Sequence, residues 1–214
     1  GEPSDWLIAS VKDAAKLRQS IGVELVDIPM SELLETLAGI PQMSTAEVKS
    51  LFASLKLAGL GECCCNTATS IFSKGFCGSA SVANSLPDAY RIYVALKSLI
   101  EKYQLKGFTL RCFDLLDAAH NTGCWALAKL NSEDIVAGCE GDVPTMLTMM
   151  VVRALCGVSC FQANPASINP ETGEILFAHS PELLRAAPAT LKWYCCAFAG
   201  VDPYCKNDGI FANP

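Results

Sequence analysis

Two carboxylates one residue apart, Glu140 and Asp142, follow the apolar run Ile135, Val136 and Ala137 and lead straight into Pro144. The run reads as a strand. Pro144 suits the first helical position, where its missing N–H would have no partner anyway. In an open α/β sheet the carboxyl ends of strands are where ligands bind, and exposed helix N–H groups attract anions there. Carboxylates at such a spot either cap the helix or hold a hard cation such as Mg2+ or Mn2+, with substrate oxygens completing the site. His179 ends a further predicted strand, Ile175 to Ala178. Alone it reads as a surface or hydrogen-bonded histidine, but if the strands are parallel neighbours it shares a sheet edge with Asp142. Arg111 and Asp114 flank a third strand end, where either could contact an anion or a sugar hydroxyl, or face solvent.

Other chemistries lack a motif. There is no Gly-x-Gly-x-x-Gly fingerprint and no Walker A loop, and Gly59-Leu60-Gly61 lacks the third glycine. A Gly-x-Ser-x-Gly nucleophile elbow is missing too, and only His120 and His179 could serve as a triad base. The 12 cysteines include no Cys-x-x-Cys pair, the usual building block of a zinc module. Cys112, Cys139, Cys156 and Cys160 lie in or beside apolar runs and read as reduced core residues, small hydrophobes in effect. The adjacent Cys63, Cys64 and Cys65 read as an oxidation-prone loop with no assigned role.

The 214 residues, 51% of them hydrophobic, suffice for a real core. A net charge of −6 with no basic stripe argues against a nucleic-acid partner. The longest mostly apolar stretch, Met146 to Val152, is far shorter than the ~20 residues of a membrane span. No signal-peptide pattern opens the chain, which makes the cytosol the expected compartment.

The elements that must position these residues follow from periodicity and punctuation. Val11 to Ile21 reads as a helix stopped by Gly22, Val23 to Ile28 as a strand, and Pro29 onward as a helix start. Thr45 to Ala58 reads as a helix with Ser44 and Glu47 spaced as a capping box. Periodicity fails over 62–85, which reads as a loop. Asp88 to Gln104 is helical by the spacing of Tyr90, Tyr93, Leu96, Ile100 and Tyr103. Then come a strand at Phe108 to Phe113, a helix at Cys124 to Leu130, a strand at Ile135 to Cys139 and a helix at Thr145 to Leu155 ending at Gly157. A strand at Val158 to Phe161, a turn at Asn169 to Glu174 and the strand Ile175 to Ala178 complete the pattern. The alternation predicts an α/β fold, a Rossmann-like open and mostly parallel sheet with helices on both faces.

The segment from Ala137 to Met149 resembles the Cys-Glu-Gly-Asp-hydrophobic-Pro-x-x-Leu-Thr-Met stretch of the L-fucose isomerase-like family. Gly1 to Leu7 and Gly22 to Pro29 resemble the opening of that family's second domain. Tyr90 to Phe113 resembles the helix and strand before the acidic motif, and Asn169-Pro170-Glu171 with Leu176 to His179 the turn and strand after it. The resemblance covers residues 1–180, which it implies are a central Rossmann-like domain lacking its first strand; 181–214 match nothing in the family and form a divergent or truncated tail.

What the resemblance implies is an L-fucose/D-arabinose type aldose–ketose isomerase of carbohydrate metabolism, homo-oligomeric and dependent on Mn2+, working through an enediol. The aspartate metal ligand falls on Asp142, with Glu140 as its catalytic companion and Arg111 and His179 toward the sugar. Two features depart from the family. Gly123 to Ala128 offers no carboxylate where a second acidic ligand stands, and the histidine ligand comes from a C-terminal domain outside this chain. The alternative reading is a non-catalytic assembly or carbohydrate-binding domain.

Overall fold

The local signals for helix ends are borne out in a computed structural model that describes residues 7, 11, 13–55, 80–157 and 162–178. Helix α1 (Ala14–Ile21) starts where the Asp13 carboxylate accepts the Lys16 N–H at 2.9 Å and stops at Gly22, whose φ of 71° suits glycine's missing Cβ. Helix α2 (Met30–Ala38) follows Pro29. Helix α3 (Thr45–Leu55) has the capping box: Ser44 N–H donates to Glu47 at 2.7 Å, and Glu47 N–H donates to the Ser44 hydroxyl at 3.3 Å. Helix α4 (Ala80–Tyr103) begins earlier than its periodicity predicts and carries Pro87 inside it.

Strand β1 (Gly107–Leu110) is shorter than predicted, because the chain turns at Arg111 into helix α5 (Cys112–Ala119). Cys112 and Leu115 are buried on one face of α5 while Phe113 is exposed, a helical spacing hidden in an apparent strand. Helix α6 (Cys124–Ser132), strand β2 (Val136–Cys139) and helix α7 (Val143–Cys156) come next. Strands β3 (Asn164–Ile168) and β4 (Ile175–Ala178) close the described part. The strand expected over Val23 to Ile28 is absent; that stretch pairs with no described strand, and alternation without a ladder partner makes no strand. The strand expected at Val158 to Phe161 lies outside the described residues, as does the loop expected over 62–85 up to the start of α4.

The Rossmann-like, mostly parallel sheet is not found among the described residues. Helices dominate the described residues, β1 and β2 pair parallel as a sheet of two, and β3 and β4 form a separate antiparallel hairpin. The physical reason is visible along the far edge of β2. There Ala137 N–H donates to the side-chain oxygen of Asn131 at 3.0 Å, Asn131 Nδ2 donates to Ala137 C=O at 2.8 Å, and Cys139 N–H donates to Gln162 Oε1 at 2.8 Å. Side-chain amides thus take the hydrogen bonds a third strand would use. The hairpin is antiparallel because its turn is short; Asn169 Oδ1 accepts the Glu171 N–H at 2.9 Å, and Gly173 supplies a φ of 72°.

Helices cover both faces of β2. Ala137 and Cys139 pack into the main core with Leu127 and Leu130 of α6 and Ile92 of α4, whereas Val136 packs against Met146 and Met149 of α7. Trp125, Tyr90 and Tyr93 form an aromatic cluster within that core, with the Trp125 ring 6.2 Å from each tyrosine ring.

Candidate functional site

The register of the parallel pair sets Leu110 opposite Cys139, so the residues that leave the two strands, Arg111 and Glu140, emerge at one sheet edge. A bond from Gly141 N–H to Leu110 C=O at 3.2 Å ties the two exits together. Arg111 sits at the start of α5 and forms an ion pair with Asp114, Nε to Oδ2 at 2.7 Å, with a second contact from Nη2 to Oδ1 at 3.2 Å. Its guanidinium plane is held by a carboxylate one helical turn on.

Glu140 and Gly141 turn the chain with φ of 62° and 71°. The glycine adopts this region freely; for glutamate it costs about 1–2 kcal/mol. Asp142 then returns to extended backbone as the N-cap of α7. Its Oδ1 accepts the Thr145 N–H at 2.8 Å and its Oδ2 accepts the Thr145 hydroxyl at 2.6 Å. Of the two roles open to this carboxylate, capping is the one visible in the geometry. Each oxygen retains acceptor capacity, so the capped side chain fits an oxygen-loving cation as one ligand of a larger set. Among the described residues no three His, Cys, Asp or Glu side chains converge to hold a metal ion.

Beneath this edge lie three buried thiols, Cys112, Cys124 and Cys139. Cys139 Sγ stands 3.0 Å from Cys112 Sγ and donates to it, and the Cys124 sulfur lies 2.7 Å from the Thr122 hydroxyl. The bond from Cys139 draws the Cys112 thiol below its ordinary value against the effect of burial, helped by the backbone N–H of Glu140. The same bond, together with burial, pushes Cys139 well up. Cys156, read as a core residue, is exposed beyond the apolar face of α7; Cys160 and Cys63 to Cys65 lie outside the described residues.

The structure therefore brings Glu140, Asp142 and Arg111 to one edge. His179 lies outside the described residues, and the premise that placed it beside Asp142 fails, since β4 pairs antiparallel with β3 and not with β2. Sequence reasoning missed Thr145 and Gln162. Thr145 was legible in principle: an aspartate three residues ahead of a threonine at a helix start is a capping pattern. Gln162 carried no such signal, because its partner, the Cys139 N–H, is set by tertiary packing.

No family model matches the chain. Over 94 residues it is 30% identical to the sulfoquinovose isomerase of Clostridium sp. (strain MSTE9), a match that takes in 43% of this chain and 21% of that protein. The chain thus spans about a fifth of that relative's length. Among the described residues no helix is long and apolar enough to cross a membrane. The similarity is to a sugar isomerase, a coarser relation than one to L-fucose isomerase in particular.

Proposed function

We propose that this chain is part of a cytosolic aldose–ketose sugar isomerase in which the joined ends of β1 and β2 contribute to a composite active site. The observation that carries the reading is the 94-residue similarity to a sugar isomerase. It is supported by the strand register that brings Arg111, Glu140 and Asp142 to one end of the parallel pair, and by the left-handed backbone at Glu140, a strain of the kind that clusters at working sites.

In this reading Asp142 would supply one oxygen ligand to Mn2+, which when bound would polarise the adjacent sugar oxygens. Glu140 moves the proton between C1 and C2, the transfer that interconverts aldose and ketose. Arg111 binds sugar oxygens. Thr145 holds the Asp142 carboxylate at both oxygens, so this ligand is oriented before any ion arrives. Self-association belongs to the same reading; Val151 and Leu155, one turn apart on α7, are 56% and 81% exposed and offer an apolar contact.

The test is a calorimetric Mn2+ titration of the chain with and without fucose, arabinose or sulfoquinovose, beside an Asp142→Asn variant. Saturable binding lost in the variant supports the ligand role. Binding of a sugar without the ion, unchanged by the variant, would establish the second reading, a non-catalytic carbohydrate-binding domain. That second reading is favoured by one observation, that both Asp142 oxygens are already engaged in capping α7.

A further inference from the structure

The thiols of Cys112 and Cys139 come from different elements, one opening α5 and the other closing β2, yet their sulfurs stand 3.0 Å apart. That is closer than ordinary van der Waals contact between two sulfur atoms. Forming a disulfide from here requires an approach of about 1 Å, to the ~2.05 Å of the covalent bond. We propose that Cys112 and Cys139 are an oxidative modification site, forming a reversible intramolecular disulfide that clamps the exit of β1 to the exit of β2, with a small hydroperoxide as oxidant and a dithiol as reductant.

The two sulfurs are chemically unequal. Cys112 heads α5, where helix N–H groups favour a thiolate, and the backbone N–H of Glu140 also supports it. Cys139 closes a strand with helices over both faces and is the donor of the S–H to Cys112. This asymmetry sets the order of steps. The Cys112 thiolate attacks one oxygen of hydrogen peroxide; an S–O bond forms, the O–O bond breaks, and the departing hydroxide takes up a proton to become water. Cys139 then loses its proton and attacks the Cys112 sulfur; the S–S bond forms, the S–O bond breaks, and the hydroxide leaves as a second water. Two thiols lose two electrons and peroxide gains them. A dithiol reverses the result by two exchanges through a mixed disulfide.

Both cysteines are nearly fully buried, which restricts the oxidant to a small one. Glu140, whose backbone N–H faces the Cys112 sulfur, is only half-buried. The pair lies directly under Arg111 and Glu140, so the disulfide fixes the spacing of the two strand exits. The proposal does not depend on the isomerase reading.

The test exposes the full chain to hydrogen peroxide, blocks remaining thiols under denaturing conditions, digests with trypsin and weighs the peptides. Cleavage after Arg111, Lys129 and Arg153 leaves Cys112 and Cys124 in 112–129 and Cys139 in 130–153. The expected product is these two peptides joined with loss of two hydrogens, in wild type and in Cys124→Ser, on a chain that runs as a monomer without reductant and separates with dithiothreitol. Cys112→Ser and Cys139→Ser should lose it. The proposal is overturned if the peptides stay separate and fully blocked after the exposed Cys156 has been oxidised, or if the link survives in Cys112→Ser. Fragmentation of the joined wild-type peptides locates the bond without any variant; a link through Cys124 would equally overturn it.

Discussion

The side chain of Asn131 forms a two-bond pair with the backbone of Ala137, accepting its N–H at 3.0 Å and donating to its C=O at 2.8 Å. Asn131 is 2% exposed, so water cannot replace either bond. With Gln162 on the Cys139 N–H, this residue at the end of α6 closes the far edge of β2.

Replacing it with an apolar residue of similar size leaves both backbone groups buried and unpaired. Asn131→Leu should lower stability by about 1–3 kcal/mol, read as a fall in the urea midpoint with an unchanged slope. An unaltered midpoint would mean that the edge of β2 finds other partners.

Capping and metal binding by Asp142 can be separated by substitution. Asp142→Ala removes the N-cap of α7 and should cost about 0.5–2 kcal/mol, whereas Asp142→Asn keeps an acceptor for the Thr145 N–H and should cost little. Thermal unfolding of the pair checks this. Equal losses in both would show that the charge, not the hydrogen bond, stabilises the helix start.

Two glycines with the same backbone sign differ in their surroundings. A Cβ on Gly123, at φ 73°, would meet Leu110 Cδ2 at 2.9 Å and Leu115 Cδ2 at 3.1 Å, while one on Gly157, at φ 67°, meets nothing within 4 Å. Gly157→Ala should therefore cost only the left-handed strain, about 1–2 kcal/mol. Gly123→Ala adds overpacking of about 1–3 kcal/mol. Chemical denaturation should rank Gly123→Ala clearly below Gly157→Ala.

Glu133 gives the protein an acid limb. Burial pushes its carboxyl up, but hydrogen bonds from Lys129, Tyr93 and Lys97 outweigh this and hold it below the ordinary carboxylate range. A depressed pKa stabilises the fold above the unfolded value and loses that contribution as pH falls through the folded one. Stability should fall below about pH 4, and Glu133→Gln should flatten that decline while leaving a less stable protein at pH 7. Urea midpoints measured from pH 7 to pH 3 test it; parallel profiles for the two proteins would remove Glu133 from the account.

Local chemistry determined much of this protein without the fold. The capping box of Ser44 and Glu47, the stops at Gly22 and Gly157, the turn from Asn169 to Glu174 and the helices around Tyr93, Trp125 and Met149 depend on neighbours within a few residues, and such signals are written in order along the chain. So was the placing of Glu140 and Asp142 between a strand and a helix. What only the tertiary structure decided was pairing. An apolar run cannot state whether its edge meets a strand or the amides of Asn131 and Gln162, so a run of alternating elements suggested a broad parallel sheet where the described residues form two parallel strands and a separate hairpin. The meeting of Cys112 with Cys139, 27 residues apart, was equally unreadable, because such a contact follows from the register of β1 on β2 and from burial, which belong to the packed chain as a whole.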